Sequence, residues 1–295
     1  MERRQVLLVD AFADEPMGGQ QIPVLPSGEQ LSETQLRRVA DEFGTPGAVA
    51  RQESELVSVD RDGCDAGIGA IIAGAASLFE RGQLEAGPQS VRAGQESRSV
   101  EIDADGRAWT ETGPQDIQTA DVTERDIADA LGTDVAAIRD VGADLPIART
   151  SAGEGSLLVA VNFFEHLSGA DPDRLALADL LAAADVTRLL AFTFDTLTAG
   201  GNVHARVFEK EASAGVREQA TSGVAAAALG GHLSQQHVLD ETLSEVRIEC
   251  GHLLDRPATM RATLENAPSV GGVAVTTVDG EMTIPDEGDD DIIEV

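Results

Sequence analysis

Lysine is nearly missing from this chain. Lys210 is the only one in 295 residues, and the other 20 cations are arginines. Tyrosine is absent, Trp109 is the single tryptophan, and aromatic residues make up only 3%. Against 21 cations stand 52 carboxylates, a formal net charge of −31. That balance excludes sequence-independent nucleic-acid binding and docking on an anionic membrane, because both need clustered positive charge. Abundant carboxylates, one lysine and small Ala, Gly and Val side chains resemble a protein adapted to molar salt. There the Debye length is about 3 Å and self-repulsion is screened. A mesophilic acidic protein is the competing reading. Cysteine is equally scarce: Cys64 and Cys250 lie far apart, which excludes a disulfide scaffold and points to reduced thiols. No apolar run approaches the ~20 residues of a spanning helix. Leu175 to Leu190 comes nearest and is interrupted by Asp179, Asp185 and Arg188. Val6 to Val9 is too short for a signal-peptide core of ~7–15 residues, so a cytoplasmic location is expected.

What is present is a folding composition, with 42% hydrophobic residues and 30 glycines. The length suggests about two domains at ~150 residues each. Val6 to Phe12 and Gln20 to Leu25 read as strands, joined by a turn that ends in Met17-Gly18-Gly19. Ser32 with Gln35 forms a capping box ahead of a helix whose apolar face is Leu36, Val39, Ala40 and Phe43. Gly44-Thr45-Pro46-Gly47 ends that helix, and Ala48 to Ala50 and Leu56 to Val59 read as strands. Gly67 to Phe79, GIGAIIAGAASLF, is an uncharged run of small residues and reads as a buried helix. Each interior glycine costs ~1 kcal/mol relative to alanine, so close backbone packing is expected there. Strands Ser90 to Ala93, Arg98 to Ile102 and Ala108 to Thr112 follow, the last two joined at an Asp105-Gly106 turn.

The span Gln115 to Thr123 is polar and reads as a crossover. Thr123 and Thr133 are candidate helix caps, and Asp171-Pro172 reads as the opening of a helix to about Asp185. Strands are expected at Pro146 to Thr150, Leu157 to Phe163, Leu189 to Phe194 and His204 to Glu209. A second small-residue helix is expected over Thr221 to Leu233, TSGVAAAALGGHL. Strands Val246 to Cys250, Met260 to Leu264, Val270 to Val278 and Met282 to Ile284 complete the set. From Asp286 the chain is an acidic tail, read as solvated rather than cation-binding. The expected fold is α/β (α+β), with two similar halves, each strand-rich around one Gly/Ala helix. The expected boundaries are 1–117 and 118–285, with the last strand free to return to the first half, and 286–295 as the tail. The start of each such helix, with unpaired N–H groups and a positive dipole end, favours an anion.

Several chemistries are excluded by motif. There is no HExxH and no close His/Cys cluster for zinc. GIGAIIAG carries Ile72 at the third glycine position of GxGxxG, Lys210 follows no phosphate loop, and no GxSxG elbow exists. Two opposed racemase thiols would each need to sit at a central-helix start. Cys250 instead ends a predicted strand and Cys64 is offset, so buried structural cysteines are the better reading.

The segments Val9 to Leu25 (VDAFADEPMGGQQIPVL), His204 to Leu233, Cys250 to Met260 (CGHLLDRPATM) and Gly271 to Pro285 resemble, in order, the PhzF-like (phenazine biosynthesis-like) isomerase family. Its fold is that of diaminopimelate epimerase. The resemblance implies strand-rich barrels around central helices, a small carboxylate-containing molecule bound between the halves, and a homodimer. It also implies proton transfer with no metal or organic cofactor. The composition would make this a haloarchaeal member. The catalytic motifs are degenerate: the position of the family glutamate falls on Pro46 or Gly47, with Glu42 a turn earlier. The family histidine falls on Gly69, in Gly67-Ile68-Gly69.

The aspartate position falls on Glu218, which keeps a carboxylate and is the candidate catalytic residue; a helix-approach carboxylate is its structural alternative. Thr221, Ser222 and Gly223 are candidate substrate-binding residues, or ordinary helix caps. Gly18, Gly19, Gln20, Gly69 and Ala70 complete the candidate binding set. A family Asn is Gln20 here. Two functions stay open: an isomerase or epimerase using Glu218, and a non-catalytic binding protein or structural dimer.

Overall fold

The computed structural model describes residues 2–61, 67–94, 96–113, 116–141, 145–150, 155–211, 215–240, 242–265 and 268–286. Cys64 and all of the acidic tail beyond Asp286 lie outside the described residues. The chain divides into one compact unit of Met1–Thr110 with Val273–Val295 and another of Glu111–Gly272.

The first unit holds β1 (Glu2–Ala11), β2 (Gln20–Leu25), α1 (Glu33–Phe43), β3 (Gly47–Gln52), β4 (Glu55–Asp60), α2 (Gly67–Glu80), β5 (Gly87–Ala93), β6 (Glu96–Ile102) and β7 (Ala108–Glu111). The second holds β8 (Ile117–Thr119), α3 (Glu124–Leu131), α4 (Val135–Arg139), β9 (Ala148–Thr150), β10 (Ser156–Ala160), α5 (Phe164–Gly169), α6 (Arg174–Ala183), β11 (Arg188–Thr193), β12 (Val203–Lys210), β13 (Val216–Gln219), α7 (Gly223–Gln235), β14 (Glu245–Cys250), a 3-10 turn (His252–Leu254), β15 (Ala258–Thr263) and β16 (Ser269–Gly272). The chain then returns to the first unit as β17 (Ala274–Ile284). This is a mixed α/β fold, as the alternation of small-residue helices with short apolar runs implies.

In the first unit β17 runs antiparallel to β1, from Glu2 opposite Ile284 to Ala11 opposite Ala274. β1 pairs antiparallel with β2, and β2 pairs parallel with β3. The ladder continues antiparallel to β4, parallel to β5, then antiparallel through β6 to β7. Strand parity explains why two helices flank this sheet. Ala48, Ala50, Val57 and Val59 join the core under α1, with Leu36, Val39 and Ala40. Val49 and Leu56, of opposite parity, face α2, where a Cβ on Gly74 would come 2.7 Å from Val49 Cγ1. Glycine at position 74 therefore admits the strand, and that close approach offsets its helix penalty. The Ser32/Gln35 capping box forms, Gly44 ends α1 in the left-handed region, and Gln35 Nε2 also donates to Pro285 O at 2.7 Å.

In the second unit β8, β9 and β10 pair antiparallel, and β10 pairs parallel with β11. β12 pairs antiparallel with β11. β13 lies on the second half of β12 and β14 on its start, and β15 and β16 extend from β14. α7 packs against β15, with Gly230 in the role of Gly74: a Cβ there would meet the Ala262 Cβ at 2.9 Å. A second cluster, including Ile127, Leu131, Leu177, Leu181 and Leu189, fastens α3, α4 and α6 onto this unit.

Several expectations need correction. The run Val270 to Val278 splits into β16 and β17, and β17 continues through Met282 to Ile284. The strand expected over Leu157 to Phe163 ends at Ala160, and Phe163 leads into α5. Asp134 rather than Thr133 caps α4, its side chain accepting from Ala136 N. Asp173 rather than Asp171 caps α6, accepting from two backbone N–H groups, so Pro172 precedes the helix. The polar span expected as a crossover contains β8, whose residues are exposed or half-buried and so carry little apolar signal. Among the described residues, no helix is long and apolar enough to cross a membrane.

Candidate functional site

β13 delivers the chain to the start of α7. Ser222 is the N-cap, accepting from Ala225 N at 3.3 Å, and Gly223 is the first helical residue. Thr221 is buried just outside the helix. Glu218, on β13 opposite Phe208 of β12, does not stand free. Arg206 Nε donates to its Oε1 at 2.9 Å and Nη2 to its Oε2 at 2.8 Å. The remaining terminal nitrogen, Nη1, donates to the carbonyls of Leu167 and Ala170 at 3.0 and 2.8 Å. The guanidinium lies 5.0 Å from the centroid of the Phe208 ring. This is a planar, bidentate pair with Arg206 8% exposed, a geometry that holds a carboxylate in one orientation.

Cys250, at the end of β14, is a fully buried free thiol. Burial pushes it up to about 12, and the nearby Glu218 charge adds to that rise against an opposing hydrogen bond from Gly251. A thiol so held is no nucleophile. Gly251 follows with φ +74, and a Cβ there would meet Arg256 O at 2.2 Å and Ala220 O at 3.0 Å. The Cys250-Gly251-His252 turn therefore packs directly against the residue before Thr221.

In the first unit the candidate residues also meet. Gly19, with φ +47, passes so close to β1 that a Cβ would sit 1.9 Å from Ala11 O. Gly18 shares that turn, and Met17 N donates to the buried Asp10 carboxylate at 2.7 Å. The Gln20 side chain then reaches the first turn of α2. Its Oε1 lies 1.7 Å from where a Cβ on Gly69 would stand, so the amide occupies the volume of a side chain at 69. Ala70, next along α2, is fully buried. Pro46 and Gly47 sit in a loop closed against α1: Thr45 N and Oγ1 donate to Ala40 O, Thr45 Oγ1 also bonds Gly47 O, and Pro46 O accepts from Arg61 N. Glu42 is on α1 and lines a groove with Phe43, Met282 and Ile284, on the α1 side of the sheet rather than the α2 side.

One group was not foreseen. Glu249 on β14 is 1% exposed and accepts from Leu197 N at 2.7 Å, Thr198 N at 2.8 Å, Thr198 Oγ1 and His204 Nδ1 at 3.3 Å. Burial opposes its charge, but the hydrogen bonds from Thr198, Leu197 and His204 win and hold it below the usual carboxylate range. Since the carboxylate only accepts, His204 carries its proton on Nδ1. His204 is itself 1% exposed and its Nε2 has no partner. Burial depresses its pKa, His252 and Arg206 depress it further, and Glu249 opposes them. The His252 ring lies 5.0 Å from the His204 ring, and its buried Nδ1 is also unpartnered. His204 and Glu249 are 45 positions apart and meet only through strand pairing, so no spacing motif announces them. Among the described residues, no three His, Cys, Asp or Glu side chains gather as a metal site requires.

Each unit is thus strand-rich around a small-residue helix with a turn at its start, a mixed α/β arrangement. The chain belongs to the phenazine biosynthesis-like (PhzC-PhzF) family, whose model matches residues 69–280. It is 26% identical over 244 residues to the uncharacterized isomerase YfhB of Bacillus subtilis (strain 168), covering 79% of this chain and 82% of that one. Among solved structures it resembles the Bacillus anthracis phenazine biosynthesis protein of the PhzF family, with TM-score 0.82 at 18% identity, covering 96% and 100% of the two chains. It also resembles a hydroxyproline epimerase from Agrobacterium vitis with bound trans-4-hydroxy-L-proline, with TM-score 0.56 at 13% identity, covering 97% and 94%. At those identities the two structures speak for the fold alone.

Proposed function

We propose that this chain binds a small carboxylate at a turn that starts one of its small-residue helices, and does not run its family's proton transfer through the usual acid–base groups. The observation that carries this reading is the bidentate Arg206–Glu218 pair, which commits both oxygens of the one retained carboxylate. Each oxygen keeps a second lone pair, but the pairing with Arg206 fixes where the carboxylate points, and general-base help, worth ~10²–10⁴-fold in rate, depends on that position. Two further features support it. By resemblance the family histidine corresponds to Gly69, whose side-chain volume the neutral Gln20 amide fills. The family glutamate corresponds to Pro46 or Gly47, in a loop without a titratable side chain. Helix-start N–H groups with Thr221, Ser222 and Gly223 in the second unit, and with Gly18, Gly19, Gln20, Gly69 and Ala70 in the first, suit an anion. Halves of 1–117 and 118–285, a homodimer, and a cytoplasm of molar salt belong to the same reading.

The test is a thermal-shift screen in molar potassium chloride with oxalate, succinate, benzoate and trans-4-hydroxy-L-proline, then deuterium incorporation into each hit. A raised Tm with no deuterium gained is expected. The second reading is isomerisation by Glu218, favoured by family membership and by a side chain still 17% exposed. Deuterium gained by the native protein and lost in Glu218→Gln would establish it and overturn the first.

A further inference from the structure

Two ring nitrogens of the second unit are buried without a hydrogen-bond partner: Nε2 of His204 and Nδ1 of His252, on rings whose centroids lie 5.0 Å apart. We propose that these two nitrogens form an exchangeable site for a divalent transition ion of the zinc class, with Glu249 as the residue that orients His204. The site is independent of the carboxylate reading above.

Buried polar groups nearly always find a partner, and an orphan calls for an explanation such as a bound ion or water. The His204 side chain is 1% exposed, and its Nδ1–H is committed to Glu249 at 3.3 Å, so its lone pair sits on Nε2. Burial holds the pKa of this ring below its ordinary value, which keeps it neutral at pH 7, as a metal ligand must be. A carboxylate on the other ring N–H is the usual arrangement behind a metal-bound histidine. That hydrogen bond fixes the tautomer and raises the basicity of the ligating nitrogen. Glu249 is itself immobilised by Leu197 N, Thr198 N and Thr198 Oγ1, so the ring it orients is held firmly.

The fold supplies the second nitrogen through one turn. β12 and β14 pair with His204 opposite Glu249, and Gly251, with φ +74, turns the chain so that the His252 ring reaches the His204 ring. Two imidazole nitrogens bound at ~2.0–2.1 Å to one ion, at a tetrahedral angle, set their ring centroids roughly 5 Å apart. The strands and the turn already hold the rings at that separation. Phe164, edge-on at 4.9 Å, gives His204 an apolar wall. His252 is half-buried and opens the 3-10 turn, whose Leu253 and Leu254 are exposed, so the path from solvent is short. Imidazole suits zinc, copper and nickel rather than magnesium or calcium. Among the described residues no third His, Cys, Asp or Glu completes the shell. Water takes the remaining positions, and the ion exchanges, unlike one in a closed structural site of four protein ligands.

The test is a titration of the native protein, labelled with nitrogen-15 histidine, with zinc chloride in molar potassium chloride at neutral pH. Ring nitrogens are read by NMR, rather than total zinc bound, because the 52 carboxylates also attract cations. The His204 Nε2 and His252 Nδ1 signals are expected to move together and to saturate at one zinc per chain. His232 of α7, whose Nδ1 is also unpartnered but which makes no ring contact among the described residues, is expected to stay in place. His252→Gln, at a half-buried position, should abolish the movement at His204. Glu249→Gln should weaken zinc binding about tenfold while both signals still move. Zinc that moves neither signal shows the two nitrogens to be satisfied by water alone and overturns the proposal. Movement confined to His166 or His237 overturns it equally, as does a His204 response that survives intact in His252→Gln. Unchanged affinity in Glu249→Gln overturns the orienting role given to Glu249.

Discussion

All five histidines of the chain lie in the second unit, and the first has none. The starts of the two central helices differ in the same sense. At α2 the space over Gly69 is filled by the neutral amide of Gln20. In the second unit Arg206 is paired with Glu218, Glu249 with His204, and the His204 ring lies against that of His252. Duplicated architecture need not mean duplicated chemistry. The backbone at both helix starts suits an anion, but only the second unit carries histidines.

This contrast can be broken at its strongest point first. Arg206→Met leaves Glu218 as a half-buried, unpaired carboxylate and two buried carbonyls without their donor, and should cost about 2–4 kcal/mol. Guanidinium denaturation in molar salt reads this, and a loss below about 1 kcal/mol would show that the pair is solvated. In the first unit, Gly69→His places a Cβ against Gln20 Oε1 and should cost about 1–3 kcal/mol. Gln20→Asn together with Gly69→His shortens the amide arm and should recover more than half of that loss. If the double variant is no more stable than Gly69→His alone, the amide is not what fills the site. Ser222→Ala removes the α7 cap and should cost about 1 kcal/mol, seen as a lowered Tm.

The smallest effect is pH-dependent and sharpens the comparison. Burial depresses the pKa of His204 and of His232 below 6.5, so the unfolded chain binds those protons more readily. Stability should therefore fall as pH drops through about 6.5 toward the folded values, and be insensitive to these groups above about 7.5. Hydrogen exchange between pH 7.5 and 5.5, corrected for the intrinsic rate, should show the loss in residues 111–272 first. Equal loss in both units would remove histidine burial as its cause.

Much of the frame was legible from local chemistry. The Ser32/Gln35 box, the Thr123 cap with Asp126, and both small-residue helices follow from patterns of a few residues. α7 begins two residues later than the run TSGVAAAALGGHL suggests, because Ser222 serves as its cap. α5 has no such signal: its six residues, FEHLSG, show no apolar period, and Phe163 before it has φ +60. The site was legible only in pieces. Resemblance picked out Glu218 by position, yet its partner Arg206 emerges only when β12 and β13 pair. The Glu249 cradle depends on a loop, Leu197-Thr198, folding onto a strand some fifty residues later. No pattern along the chain carries that information, because it resides in the register of non-neighbouring strands.

The pairing of β1 with β17 has a consequence for synthesis. Glu2 meets Ile284, so the second strand to flank β1 is made only after the whole of the second unit. Every residue of the second unit leaves the ribosome before that strand does. The first unit is begun before the second and completed after it, and while the second is being made the ten-residue edge of β1 waits without the partner that will cover it.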